Sequence, residues 1–315
     1  MADAVLTSRD MNRMHATILR LPLPCLLLLA AGCVARPESG EYDKTYSITG
    51  RPTVNVHTND GGVRVVTSDS KDVTFHVKYQ SVGTAPRIDS RQDGDSVTLE
   101  AQLESSSFLF GLGGHRSMEI EVRMPRDADL RVDSNDGGIK VEAVNGHVVI
   151  HTDDGSIRAS QLAGTVDLSS HDGSIRVDVV KGDLKIRTDD GSIGGEHLDG
   201  TCEASTSDGS IRVDGRFDAL HLRTDDGSVI ARVQSGSVPA SSWQLQTSDG
   251  SVHLTVPADF KANLNATSSN GSVTLDSPVK VDGDVSRSLI RGALNGGGPE
   301  VLIRTSSGSI HIGAS

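Results

Sequence analysis

The sequence predicts an all-β fold, a single-stranded β-solenoid similar to a parallel β-helix, with eighteen-residue coils and with irregular coils or a cap at its N-terminal end. The first observation is a six-residue motif, Thr-x-Asp-Gly-Ser-Ile in its commonest form, whose glycine recurs every eighteen residues at Gly155, Gly173, Gly191, Gly209 and Gly227. The second is that apolar and polar residues alternate on both sides of each motif, which is the period of half-buried strands. The third is another glycine series with the same step, at Gly146, Gly164, Gly182 and Gly200. Such repetition is typical of a chain that winds into stacked coils.

Residues 1–32 carry the pattern of a bacterial export signal. Arg9, Arg13 and Arg20 precede an apolar run at residues 21–31, and the run ends in small residues. This order of a basic region, an apolar region and a small-residue cleavage site is that of a signal peptide. The run has eleven residues, whereas a helix that spans a bilayer needs about 20. We therefore expect the segment to be removed during export.

The segment Leu-Ala-Ala-Gly-Cys at residues 29–33 resembles a bacterial lipobox. This resemblance implies that Cys33 receives the lipid and becomes the N-terminus of a membrane-anchored lipoprotein. Val34 follows it instead of an aspartate, which implies the outer membrane where the cell has two membranes, on its periplasmic or its surface side. Residues 33–45 are predicted to form a lipidated polar tether. Cys25 lies in the leader, so Cys202 has no partner for an intramolecular disulfide in the mature chain.

The rest of the chain is predicted to form two regions, an irregular β region or N-terminal cap at 46–130 and the repeat solenoid at 131–315. Residues 105–114 are an apolar segment that either covers the end of the stack or serves as a contact tip.

Aligning the repeats at eighteen residues produces three apolar columns, which predict a core of stacked aliphatic side chains: Val148, Val166, Leu184, Cys202, Leu220; Ile150, Leu168, Ile186, Ala204, Leu222; and Ile157, Ile175, Ile193, Ile211, Val229. Cys202 is therefore predicted to be a packed, unreactive thiol. The glycine of each Asp-Gly pair is expected to supply the positive φ of a tight turn, and the second glycine series to mark the opposite corner.

The motif aspartates should form a column along one edge of the stack, made up of Asp136, Asp154, Asp172, Asp190, Asp208 and Asp226. Two explanations remain open for this column. Each carboxylate accepts hydrogen bonds from its own turn, or calcium bridges neighbouring carboxylates, as it does in repeats-in-toxin β-rolls. Calcium is thus the one cofactor that the sequence suggests.

The charge of the chain disfavours nucleic acid as a partner. The formal net charge is -12, and it becomes -13 when the leader's three arginines and two aspartates are removed. A surface this acidic repels phosphate backbones. No basic patch is evident, and Arg158, Arg176 and Arg212 are simply expected to face solvent.

Several segments resemble the bacterial putative-adhesin domain family, whose function is unknown. The likeness extends over about residues 46–315. It rests on the repeated motif, on the strand ends Val-x-Met-Pro at 122–125 and Val-Pro at 256–257, and on the closing segments 295–299 and 305–310. The resemblance implies a β-solenoid at the cell envelope.

The sequence contains no recognisable catalytic motif. Ser170, His171 and Asp172 are the three residue types of a hydrolase triad, but consecutive residues on a tight turn cannot form a proton relay. We therefore expect a non-enzymatic envelope lipoprotein that serves as an adhesin or binding scaffold for an unidentified envelope or surface partner. The alternatives are a calcium-binding structural solenoid and, as a second alternative, a carbohydrate-active β-helix enzyme. The enzyme would need a carboxylate-containing pocket in the irregular region 230–300, and Trp243 is the one indole available for stacking on a sugar.

Overall fold

The computed structural model describes residues 37–82, 84–103, 116–276 and 279–315. The predicted leader, Cys33 and residues 105–114 lie outside these residues. Every named element in the described residues is a β-strand, so the all-β prediction is confirmed. None of these residues belongs to a helix that is long and apolar enough to cross a membrane.

The strands fall into an N-terminal, a central and a C-terminal group. The N-terminal strands are β1 (Pro37–Ser47), β2 (Thr53–Asp60), β3 (Gly62–Ser68), β4 (Asp72–Val82), β5 (Arg87–Asp93), β6 (Ser96–Gln102), β7 (Ser117–Pro125), β8 (Asp129–Asp136) and β9 (Ile139–Glu142). The central strands are β10 (Asn145–Thr152), β11 (Ile157–Ser170), β12 (Ile175–Arg187), β13 (Ile193–Thr206), β14 (Ile211–Thr224) and β15 (Val229–Val233). The C-terminal strands are β16 (Trp243–Asp249), β17 (Val252–Val256), β18 (Ala262–Ser268), β19 (Val273–Leu275), β20 (Val281–Val285), β21 (Leu289–Leu294), β22 (Glu300–Ser307) and β23 (Ile310–Ala314).

The central strands pair in parallel with a shift of one repeat, which confirms the β-solenoid. Ile157 lies beside Ile175, and Ile175 lies beside Ile193, each eighteen positions further on. Each long strand bends at a corner where Gly164, Gly182 or Gly200 has a positive φ, as the second glycine series predicts. The stack therefore has a first sheet, made of the segments that lead into each Asp-Gly turn, and a second sheet, made of the segments that leave it.

The coils at both ends of the stack are not in chain order. In the first sheet β2 lies between β6 and β8, and in the second sheet β3 lies between β7 and β9. At the other end β22 lies between β16 and β18, and β23 lies between β17 and β19. The C-terminal coil is thus inserted between two earlier coils, and the described residues form eleven coils.

Antiparallel strands cover the ends of the stack, where open parallel edges would otherwise invite association with other chains. At the N-terminal end β1 pairs with β4, β4 pairs with β7, and β5 pairs with β6. At the C-terminal end β21 pairs with β18 and β20 pairs with β21. The N-terminal cap begins earlier than the sequence suggests: residues 37–47 form β1 along the whole length of β4, whereas residues up to 45 were expected in a tether. Tyr42 and Tyr46 explain the difference, because both pack against the core cluster.

The three predicted apolar columns are confirmed as the core. Every member of these columns is at most 4% exposed. Cys202 is 3% exposed, and burial raises the pKa of its thiol to about 12. Because the thiolate is the reactive form, Cys202 is a packing residue.

The positive φ expected of the motif glycines is found at Gly227 (154°) but not at the other four. Gly155, Gly173, Gly191 and Gly209 lie outside the left-handed region. A Cβ at each of them would instead lie well under 3.0 Å from the carbonyl oxygen of the glycine in the preceding coil. Glycine is required here because the turns of successive coils stack backbone on backbone.

Candidate binding surfaces

The motif aspartates lie along an exposed edge, as the sequence predicts. Their backbone amides hold the turns together: Asp172 donates to the carbonyl of Asp153 (2.9 Å), and Asp208 donates to that of Asp189 (2.9 Å). All six side chains of the column are exposed. Desolvation and the neighbouring carboxylate of Asp154 raise the pKa of Asp136, which is the direction expected for like charges placed close together.

The hydroxyl that opens the motif, and not the aspartate, forms the side-chain hydrogen bonds of the turn. Ser170 Oγ accepts from the amide of Gly173 in its own turn (2.9 Å) and donates to the carbonyl of Gly155 in the coil before it (3.0 Å). Thr188 and Thr206 make the equivalent donation to the preceding coil, each at 2.9 Å. In the described part of the chain, no hydrogen bond joins the carboxylates of Asp154, Asp172, Asp190, Asp208 or Asp226 to their own turns. The hydroxyl column thus locks each turn to the next.

The aspartate column does not form a group of three ligands close enough to share a metal ion. Within the described residues, three ligand atoms lie within 4.8 Å of one another only at Asp178, Glu196 and His197, on a different edge of the stack. His171 lies in the neighbouring column, one position before the motif aspartates, and its Nδ1 lies 2.7 Å from Asp189 Oδ2. This hydrogen bond and the charge of Asp172 raise the pKa of His171. The geometry therefore gives little support to a chain of calcium ions along this edge.

The group of Asp178, Glu196 and His197 lies at the exposed corner where the second-sheet strands end. His197 Nδ1 lies 2.8 Å from Asp178 Oδ1. The hydrogen bond to Asp178, the charge of that residue and the charge of Glu196 raise the pKa of His197. The imidazole is therefore held in an acidic environment, where its protonated form is favoured.

A column of basic side chains runs along the outer face of the second sheet, contrary to the expectation that no basic patch exists. Six adjacent coils present Arg64, Lys140, Arg158, Arg176, Gly194 and Arg212 at equivalent positions. We call the five basic residues of this series the basic ladder. Its five side chains are exposed. They were hidden in the overall composition by the excess of acidic residues elsewhere.

An open groove of about 470 Å³ lies over the basic ladder. Gly194 and the basic residues Lys140, Arg158, Arg176 and Arg212 are among the residues that line it. Serines at the strand starts flank the ladder on one side, at 156, 174, 192 and 210. Acidic side chains two positions further along the strands flank it on the other, at 142, 178, 196 and 214.

The outer face of the first sheet has a different character. Its groove of about 300 Å³ is lined by side chains of mixed charge, among them Asp183, Lys185 and Glu203. Asp183 accepts a hydrogen bond from Thr201 (2.6 Å), and Arg187 pairs with Glu203 (3.3 Å). Much of the polar surface of this face is thus satisfied internally.

Comparisons with known proteins identify a family model and several structures. The family model, described as Toastrack DUF4097, matches residues 53–243 and again residues 237–313. No curated protein matches the chain. A putative adhesin from Bacteroides fragilis is 10% identical, with a TM-score of 0.38, and the match covers 88% of this chain and 97% of that one. A putative lipid binding protein from Parabacteroides distasonis is 12% identical, with a TM-score of 0.37 and coverage of 88% and 96%. A putative cell adhesion protein from Clostridium sporogenes is 13% identical, with a TM-score of 0.23 and coverage of 88% and 100%.

Proposed function

The chain belongs to the Toastrack DUF4097 family, and from that premise we propose that it is a non-enzymatic binding scaffold of the bacterial cell envelope. The observation that carries the proposal is the register of the central coils. Each residue of a central strand lies beside the residue eighteen positions further along the chain, so each outer face displays straight columns of side chains. Such a surface binds by matching a repeating partner, and this use of a solenoid face requires no enclosed site.

The residues with catalytic potential are occupied by structural roles. The hydroxyl of Ser170 donates to the carbonyl of Gly155 inside the stack. Cys202 is buried, with a thiol pKa of about 12. Trp243 is fully buried and is therefore not available to stack on a sugar. These positions support a binding function over a nucleophilic or carbohydrate-processing one.

One groove in the irregular C-terminal region is too small for a typical substrate. It has a volume of about 140 Å³ and is lined by Val256, Pro257, Ala258, Val279, Lys280, Leu294, Asn295 and Ala314. Ligand pockets usually have about 300–1,000 Å³ and a few convergent polar groups. No carboxylate is among these lining residues, which argues against the pair of acids that a glycosidase uses.

The scaffold is proposed to be exported and held at a membrane, the outer one where there are two, through a lipid on Cys33. Each buried methylene of the acyl chains contributes about 0.8 kcal/mol, so several chains give stable attachment. The partner is proposed to be an envelope or surface component and not a nucleic acid.

The anchor is tested by expressing Cys33→Ala in a bacterium that processes lipoproteins. We expect the variant to lose the acyl mass on intact-protein mass spectrometry and to leave the membrane fraction. Cys25→Ala is the matched control, because it removes a thiol from the predicted leader eight positions earlier, and it should remain lipidated and membrane-bound. A Cys33→Ala protein that still carries the lipid would refute the anchor.

A further inference from the structure

We infer that the basic ladder binds a linear anionic polysaccharide of the polyuronate type, laid along the stacking axis of the coils. This inference rests on the proposed function as a binding scaffold and names the chemistry of its partner. The occupant carries one carboxylate on each sugar, and the carboxylates on its protein-facing side meet cations of the ladder.

The first step of the argument concerns the ion pairs of the ladder's side chains. Among the described residues, no carboxylate lies close enough to Arg64, Arg158, Arg176 or Arg212 to form an ion pair, and Lys140 has one contact, with Glu142 at 3.5 Å. The chain has an excess of acidic residues, yet these cations remain unneutralised. Their exposed guanidinium groups are therefore free to bind an external anion.

The second step is that two of the acidic side chains beside the ladder have hydrogen-bond partners outside it. Asp178 binds His197 (2.8 Å), and Asp214 accepts from Gln234 Nε2 (2.5 Å). Glu142 pairs with Lys140 of the ladder at 3.5 Å, and Asp178 and Glu196 line one side of the groove. Among the described residues, none of these carboxylates forms an ion pair with a ladder arginine.

The third step is the spacing. Adjacent parallel strands lie about 4.8 Å apart, and the ladder offers a cation at that spacing in every coil from Arg64 to Arg212 except that of Gly194. An extended uronic acid polymer advances by a similar distance for each sugar. Because successive sugars are turned about the polymer axis, the carboxylates on its protein-facing side recur every two or three sugars and meet cations two or three coils apart. An arginine fork binds a carboxylate through two parallel hydrogen bonds, which adds directional fit to charge complementarity.

The fourth step is the character of the other residues in and beside the groove. Ser160 lines the groove, and the serines at 156, 174, 192 and 210 lie beside the ladder. Their hydroxyl groups are suited to hydrogen bonds with the hydroxyls of a sugar. None of the residues that line the groove is aromatic, whereas single-stranded nucleic acids are usually held by stacking on aromatic rings. The groove therefore favours a polysaccharide over a polynucleotide.

The test measures binding of hexagalacturonate to the purified full-length lipoprotein in detergent by isothermal titration calorimetry, with a chelator present. Six sugars match the six coils from Arg64 to Arg212. The wild-type protein should bind this oligomer and should not bind its methyl ester, which keeps the sugars and removes the charges.

Two variants change the ladder in opposite directions. Arg158→Gln with Arg176→Gln should weaken binding by about tenfold or more, because two charge-assisted contacts are lost. Gly194→Arg should strengthen binding several-fold, because it fills the gap in the ladder at a site where an added Cβ meets its nearest atom at 3.8 Å. An increase in affinity cannot result from misfolding.

The matched control removes two arginines from the other face. Arg187→Gln with Arg223→Gln changes the net charge by the same amount, and we expect its affinity to stay within about twofold of the wild type, since these residues pair with Glu203 and Asp225.

Three results would overturn the inference: no binding of hexagalacturonate, equal losses in the ladder and control variants, or tighter binding of single-stranded DNA than of the sugar. None of them would alter the outcome of the Cys33 experiment, so a failure to bind the polymer is distinguishable from a failure of the proposed anchor.

Discussion

Gly191→Ala is expected to lower the free energy of unfolding by about 3 kcal/mol, since overpacking a rigid interior typically costs 1–3 kcal/mol and more where backbone must move. The added methyl group would collide with the carbonyl oxygen of Gly173, and would lie 2.6 Å from its carbonyl carbon and 2.8 Å from Thr188 Oγ1. These neighbours are main-chain atoms or a hydroxyl that is itself hydrogen-bonded. Relief therefore requires two coils to separate, and the urea unfolding midpoint measures the cost.

Gly194→Ala is the control for this prediction, because it makes the same change three residues later in the same coil. The nearest atom to its added Cβ is Arg176 Cγ at 3.8 Å. Alanine also restricts the unfolded chain, so this variant should be as stable as the wild type or up to about 1 kcal/mol more stable. Equal destabilisation by the two variants would show that backbone stacking is not the reason for the motif glycine.

Trp243→Ala is expected to lower the free energy of unfolding by about 4 kcal/mol, within the range of large aromatic deletions from protein cores. The indole is fully buried and lies at the next level of the column that contains Leu220. It packs edge-on against Phe217, with ring centroids 6.3 Å apart, and against Phe260 at 5.2 Å. The side chain thus fills the core where the regular repeat gives way to the irregular C-terminal coils.

Trp243→Phe retains a ring between these two aromatic neighbours and should lose much less stability. The wild-type indole should also show blue-shifted fluorescence that a water-soluble quencher does not reach. A red-shifted, readily quenched emission from the folded protein would place Trp243 at the surface and would contradict this role.

The predictable parts of the fold are those in which equivalent positions of successive repeats require the same type of residue. Ile157, Ile175 and Ile193 are recognisable as one column because each position must fill the same core volume. The serine or threonine that opens each motif was equally visible, at Ser170 and Thr188. Its role could not be inferred, because the carbonyl to which it donates lies in the preceding coil and becomes its neighbour only through stacking.

The order of the terminal coils could not be predicted from the glycine spacing. Gly250, Gly271 and Gly308 follow one another in the sequence, but Gly308 stacks between the other two. Insertion of the last coil changes no residue type, so no local pattern records it. The basic ladder was missed for another reason. Gly194 interrupts the column, and the acidic residues of the chain outnumber its basic residues in the overall composition. Aligning Lys140, Arg158, Arg176 and Arg212 at the repeat length would have revealed it.

Disulfide trapping in the C-terminal coils tests the stacking of the coils most directly. His253 and His311 are register partners whose rings stack at 4.8 Å, whereas Thr274 pairs with His311 from the opposite side. The pair His253→Cys and His311→Cys should therefore form a disulfide on mild oxidation. The pair His253→Cys and Thr274→Cys should not, because two strand spacings of about 4.8 Å each exceed the roughly 7 Å limit between the Cα atoms of a disulfide. Cys202 should not compete, since its thiol is buried. Efficient bonding of the second pair with none in the first would show coils stacked in chain order and would contradict the register on which the core, the turn locks and the basic ladder depend.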